Sequence, residues 1–135
     1  MDVHTKQQRQ RNMRAIRCRD TKPEMFVRRL VHSLGYRYRL HGRSLPGRPD
    51  LVFASKKKVL FVHGCFWHRH RCKYGRVVPA TRRQFWMDKL QKNSDRDRRV
   101  RRQLRALGWR SLTIWECQLK QADRLTDRIR SFLDE

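Results

Sequence analysis

Ten residues, HGCFWHRHRC from His63 to Cys72, hold two cysteines and three histidines around the adjacent aromatics Phe66 and Trp67. A loop of this makeup needs something other than its own packing to fix it, and its side chains name the agent. Cys65, His70 and Cys72 lie close together, and Cys117 ends an apolar run far along the chain. Two or three thiolates with an imidazole form the donor set of a tetrahedral zinc ion with every position filled by protein, a structural site. The spacing differs from paired C-x-x-C fingers, so free cysteines and solvated histidines stand as the other reading. Cys18 is left over and reads as a small, partly buried apolar residue.

The chain of 135 residues suits one domain, 1–135, around a single core. Against 12 Asp and Glu stand 35 Lys and Arg, a formal charge of +23 that a small fold carries best beside a polyanion. Arginine supplies 26 of those cations, and its planar fork suits phosphates and base edges. Nucleic acid is therefore the expected partner. No stretch reaches transmembrane length or forms a long amphipathic helix with a clean apolar face, so a membrane is not expected. The start, MDVHTKQQRQ, lacks the apolar region of a signal peptide, so a cytoplasmic protein with metal-bound or free thiols follows.

Along the chain, residues 1–18 read as a basic arm or helix whose narrow apolar edge is Met13 and Ile16. Thr21 and Pro23 start a helix with Phe26, Val27, Leu30 and Leu34 at helical spacing, ending at Gly35. Tyr36 to Leu40 alternates like a strand, and SLPGRP is a turn. The runs from Asp50 to Phe53 and Val59 to Val62 predict a hairpin at the centre of a sheet. Two helical stretches are expected between Thr81 and Leu107, then a strand from Trp109 to Trp115 and a final helix from Leu119 to Leu133. This order predicts an α/β fold, a three-layer domain with a mixed central sheet flanked by helices.

In so basic a chain the carboxylates are informative. Asp50 begins a central strand and Glu24 lies near the start of the first helix. Carboxylates so placed can hold magnesium, which would stabilise displacement at a phosphate, while an imidazole takes a proton from the attacking water. The hairpin would bring His63 and His68 just beyond the strand paired to Asp50. Proline-aspartate, a turn and an apolar strand resemble the restriction-endonuclease core. The second strand departs from it, reading Val-Leu-Phe-Val-His where an acid and a lysine are usual.

Taken together, NMRAI (12–16), RDTKPE (19–24), SLPGRPD (44–50), FVHGCFWHRHRC (61–72), VPATRRQFW (78–86), KNSDRDRR (92–99), LGWR (107–110) and IWECQL (114–119) resemble the very short patch repair (Vsr) DNA mismatch endonucleases. The resemblance spans nearly the whole chain. It implies a restriction-endonuclease-like fold and an enzyme that nicks 5′ to the thymine of a T·G mismatch left by 5-methylcytosine deamination. Asp50 would be the principal magnesium ligand, His68 the general base, and Glu24 and His63 would assist. Val62, where relatives often carry threonine, would offer magnesium its main-chain carbonyl. Cys65, His70, Cys72 and Cys117 would hold structural zinc. Phe66, Trp67 and Trp86 would wedge into the base stack, Met13 and Ile16 would enter from the minor groove, and Lys89 and Asn93 would touch the mismatched pair. Unstacking costs a few kcal/mol per step and is easier at a mismatch.

Double-stranded DNA with a T·G mismatch is then the partner, with other mismatch-repair proteins and DNA polymerase I as further ones. A monomer acting at the bacterial nucleoid is expected. The alternatives are a zinc-stabilised nucleic-acid-binding module without catalysis and a restriction-like nuclease of other specificity.

Overall fold

Thr21 caps the first helix, α1 (Lys22–Ser33), by accepting the Glu24 N–H at 3.3 Å, and Pro23 sits in the first turn where its missing donor is harmless. Gly35 at φ +90° ends the segment. The computed structural model describes residues 20–135. After α1 come β1 (Arg39–Leu40), β2 (Leu51–Phe53), a 3-10 turn at Ala54–Lys56, β3 (Lys58–His63), α2 (Arg83–Ala106), β4 (Arg110–Trp115), a second 3-10 segment at Glu116–Lys120, and α3 (Ala122–Asp134). The expected arm with Met13, Ile16 and Cys18 lies outside the described residues.

The four strands stand in chain order, β1 and β3 each antiparallel to β2, and β4 parallel to β3. The sheet is thus mixed. Leu51 pairs with Leu60, and β4 follows β3 from Lys58 opposite Arg110 to His63 opposite Trp115. Joining parallel neighbours requires a crossover, which the segment carrying α2 supplies.

Alternation along the strands divides the core. Leu51, Phe53, Leu60 and Ile114 pack with Val27 and Val31 of α1 and Leu125, Ile129, Phe132 and Leu133 of α3. Val52, Val59 and Phe61 point the other way, against Val100 and Leu104 of α2. Helices therefore cover both faces, which is why β3 is apolar almost throughout. Gly47, at φ +73°, lies so close to Val100 that a β-carbon there would collide with its side chain, and this contact seats the SLPGRP turn against α2.

Three element expectations need correction. The span read as two helical stretches is one helix of 24 residues, because the polar run between its apolar ends contains good helix formers and neither Gly nor Pro. The strand expected from Tyr36 shrinks to Arg39–Leu40, since Tyr36 and Tyr38 turn their rings onto the core and only the last two residues reach β2. The last helix starts at Ala122, preceded by the 3-10 segment that carries Cys117. Among the described residues no helix is long and apolar enough to cross a membrane.

Candidate functional site

Strand β3 ends at His63, and the groups singled out from the sequence gather around that end. Asp50, just before β2, accepts the Val62 N–H at 2.6 Å and lies within hydrogen-bonding reach of Glu24, which α1 brings in from one face of the sheet. Glu24 is buried, at 3% exposure, and is held from several sides: its carboxylate accepts from the Asp20 N–H at 2.5 Å and Arg28 at 3.0 Å, and meets His41 Nε2 at 2.9 Å. Burial and the neighbouring Glu24 push Asp50 up to about 7, although the Val62 bond acts against this. Two carboxylates crowded together in this way suit a cation, and few protein oxygens plus water match the preference of magnesium.

On the α2 side lies an imidazole pair. His68 Nδ1 is 2.6 Å from Asp97 Oδ2, the same oxygen lies 4.0 Å from His63 Nδ1, and the two rings stack 3.8 Å apart at an interplanar angle of 7°. Burial, followed by repulsion from His68, brings His63 down to about 3, so it is neutral at any working pH. The hydrogen-bond pattern assigns the Nδ1 proton of His68 to Asp97 and leaves Nε2 as an acceptor when the ring is neutral. Among the described residues these imidazoles do not join Asp50 and Glu24 in one ligand set, so acid cluster and imidazole pair are adjacent but distinct.

Cys65, His70, Cys72 and Cys117 present one donor atom each, all within 4.8 Å of one another. Cys117 Sγ is 3.5 Å from His70 Nδ1, and Cys65 Sγ accepts the Cys117 N–H at 3.4 Å. The ring of His70 lies flat on Trp115 at 4.2 Å. Gly75 abuts the backbone of His70, where a β-carbon would collide. Burial pushes the Cys65 thiol up to about 12, whereas hydrogen bonds from Gly75, Cys65, Tyr74 and Cys117 hold Cys72 below its ordinary value despite desolvation. Three sulfurs and one nitrogen converging here form a metal-ligating set of the kind that binds zinc as thiolates.

The rings of Phe66, Trp67 and Trp86 form a half-buried cluster with centroids 5.3 to 6.3 Å apart. Lys89 Nζ hovers 5.8 Å from the Trp67 ring and 5.6 Å from the Trp86 ring. Asn93 donates to the Trp67 carbonyl at 3.2 Å and Ser94 to that of His68 at 3.4 Å, so one face of α2 scaffolds the loop that carries His68 and the aromatic pair alike. Asn93 therefore has a structural partner already.

Sequence reasoning missed Asp97, Arg28, His41 and the exposed Phe85, whose ring packs edge-on to Trp86. Asp97 had a signal: it stands four residues after Asn93 and eleven after Trp86, on the same helical face. The surrounding arginines hid it. Arg28 and His41 had none, because their meeting depends on how α1 docks beside β1.

The model of the family described as DNA mismatch endonuclease Vsr matches residues 1–74. DNA mismatch endonuclease Vsr of Escherichia coli (strain K12) is 50% identical over 126 residues, covering 93% of this chain and 80% of that protein. Type II nicking enzyme V.XorIIP of Xanthomonas oryzae is 48% identical over 122 residues, 90% of this chain and 89% of that one. Type II nicking enzyme V.NmeAIP of Neisseria meningitidis is 35% identical over 134 residues, 99% of this chain and 95% of its own length.

Proposed function

The chain belongs to the Vsr family of DNA mismatch endonucleases and is a nuclease acting on DNA, and from that premise we propose that it makes a single-strand nick 5′ to the thymine of a T·G mismatch, using magnesium. The observation that carries this reading is the His68–Asp97 bond at 2.6 Å beside the Asp50–Glu24 pair. A binding module needs neither.

Asp50 and the Val62 carbonyl would hold the magnesium ion, and Glu24 would act on it through bound water. Bound there, magnesium supplies Lewis acidity to the scissile phosphate. His68 Nε2 takes the proton of the attacking water, and Asp97 holds the ring in the required tautomer and stabilises the imidazolium that forms. His63, neutral and stacked on His68, excludes water from one ring face and adds no competing charge. Zinc on Cys65, His70, Cys72 and Cys117 would fix the loop that aims His68.

Phe66, Trp67 and Trp86 would enter the base stack, with Lys89 and Asn93 beside the mismatched pair and Met13 and Ile16 opposite. The sheet order and flanking helices suit a restriction-endonuclease-like core, a monomer suffices for a one-strand cut, and nucleoid DNA is the place of action. Mismatch-repair proteins and DNA polymerase I would act on the nicked product.

The test incubates the protein with magnesium and labelled duplexes, either paired or carrying T·G in varied contexts. One nick 5′ to the mismatched thymine, lost in Asp50→Ala while DNA binding persists, is expected. Equal cutting of paired duplex sinks the mismatch reading, and binding without cutting favours a module without catalysis.

A further inference from the structure

Asp20, Glu24 and His41 converge as a metal site does, with one ligand-type atom from each lying within 4.8 Å of the others. A protein cation already lies among them. Arg28 Nη2 is 2.5 Å from Asp20 Oδ1, 3.0 Å from Glu24 Oε2 and 3.1 Å from His41 Nε2. Its side chain is 10% exposed, and its Nε has no hydrogen-bond partner among the described residues, so the guanidinium is held through its Nη atoms. One carboxyl group away lies Asp50. Many nucleases place two divalent ions side by side at such a spot, one on each side of the reacting phosphate.

We propose that Arg28 is a built-in cation occupying what would otherwise be a second divalent-metal site, so that this enzyme binds a single catalytic ion, at Asp50. The proposal rests on the reading of Asp50 as magnesium ligand. Three consequences follow from the chemistry. The charge of Glu24 is neutralised whether or not a free ion is present, because an arginine does not deprotonate in proteins. Glu24 Oε2 is committed to two donors, the Asp20 N–H and Arg28, which orients the carboxylate toward metal-bound water rather than toward direct ligation. The open edge of the trio is Asp20, whose side chain is 63% exposed, so removing the guanidinium leaves a site that ions can reach. Arg28 is a positioning residue here, acting through Glu24.

The test is manganese binding to the full-length, zinc-loaded protein without DNA, followed by calorimetry and by the spin-resonance signal of free ion. The wild type is expected to take one Mn2+ per chain, lost in Asp50→Asn. Arg28→Gln is expected to take two, the added one lost in the Arg28→Gln, Glu24→Gln double variant, and the dependence of nicking on ion concentration should turn from hyperbolic to sigmoidal. Arg28→Lys keeps a cation in place and should stay at one. Zinc content and circular dichroism certify each fold. A folded Arg28→Gln that still binds one ion overturns the proposal, and so does a wild type that binds two with one of them lost in Glu24→Gln; the second outcome needs no Arg28 variant to fold. Manganese uptake indifferent to Asp50→Asn would instead remove Asp50 as the ligand, and gain or no gain in Arg28→Gln would still decide the role of Arg28.

Discussion

On the proposed reading, Asp50 serves the cation at the expense of the fold. Its raised proton affinity means that the folded protein without metal holds a proton that the unfolded chain releases at about pH 4, so stability from this group falls as pH rises from about 4 to about 7. Asp50→Asn keeps an oxygen to accept the Val62 N–H and removes the charge. The metal-free variant should melt several degrees above the metal-free wild type at pH 8, a gain on the order of 2 kcal/mol, while nicking disappears; equal or lower melting by calorimetry refutes this account. Proton and metal also compete for the same carboxylate, so the apparent magnesium affinity should weaken up to about tenfold per pH unit below 7. Asp97 yields a second expectation at this scale. Asp97→Asn preserves the shape but removes the charge that stabilises the imidazolium, so nicking should fall by about 10²- to 10⁴-fold, with mismatch affinity retained. Single-turnover kinetics would show it, and an unchanged rate would remove Asp97 from the mechanism. The sequence exposed Asp50 because it stood at a strand start after proline, whereas Asp97 lay among arginines, with no strand start, turn or proline to single out its carboxylate.

Among the elements, the loop from Gly64 to Cys72 is held by Asn93, Ser94 and Asp97 of α2 on one side and meets the Cys/His cluster, which could hold a metal ion, on the other. Cys117→Ala removes the donor that would tie the loop, through the metal, to the segment after β4. Zinc by elemental analysis should fall below one per chain and the thermal midpoint by 10 °C or more, since a structural zinc contributes folding energy directly; full zinc retention would mean the cluster is not the site. His68→Ala, by contrast, should keep zinc. The far end of β3 carries Lys58, buried at 4% exposure, whose ammonium donates to the Phe132 and Glu135 carbonyls and so caps α3. Lys58→Met leaves those carbonyls without a donor and should cost about 1–3 kcal/mol in denaturant unfolding while leaving the nicking site intact. Helix α1, the hairpin and β4 were legible because caps, turns and apolar period agreed there. The unity of α2 was not, since a helix whose middle faces solvent and the polar loop from Gly64 to Cys72 shows no apolar stripe to count.

At the scale of the whole molecule, affinity and discrimination arise from different groups and should separate on mutation. The charge of +23 was plain from composition, and so was a polyanionic partner; which cations face the cut was not, because nearly every surface is basic. Arg96 and Arg101, exposed on α2, lie close enough to His63 to lower its proton affinity, and on the proposed reading they would face the cut. A site neutralising roughly 6–10 phosphates loses on the order of 10³-fold or more in affinity between 50 and 200 mM salt. Arg101→Gln should reduce the slope of log affinity against log salt by about 1, equally for paired and mismatched duplex. Trp67→Ala should leave that slope alone and instead shrink the preference for T·G over paired DNA by about 1–3 kcal/mol, since the stacking it would supply is available only where a step opens readily. Both follow from one titration series by fluorescence anisotropy. If Trp67→Ala weakens the two duplexes alike, the aromatic cluster is packing for the loop and mismatch selection must lie with Lys89, Asn93 or the residues preceding Asp20.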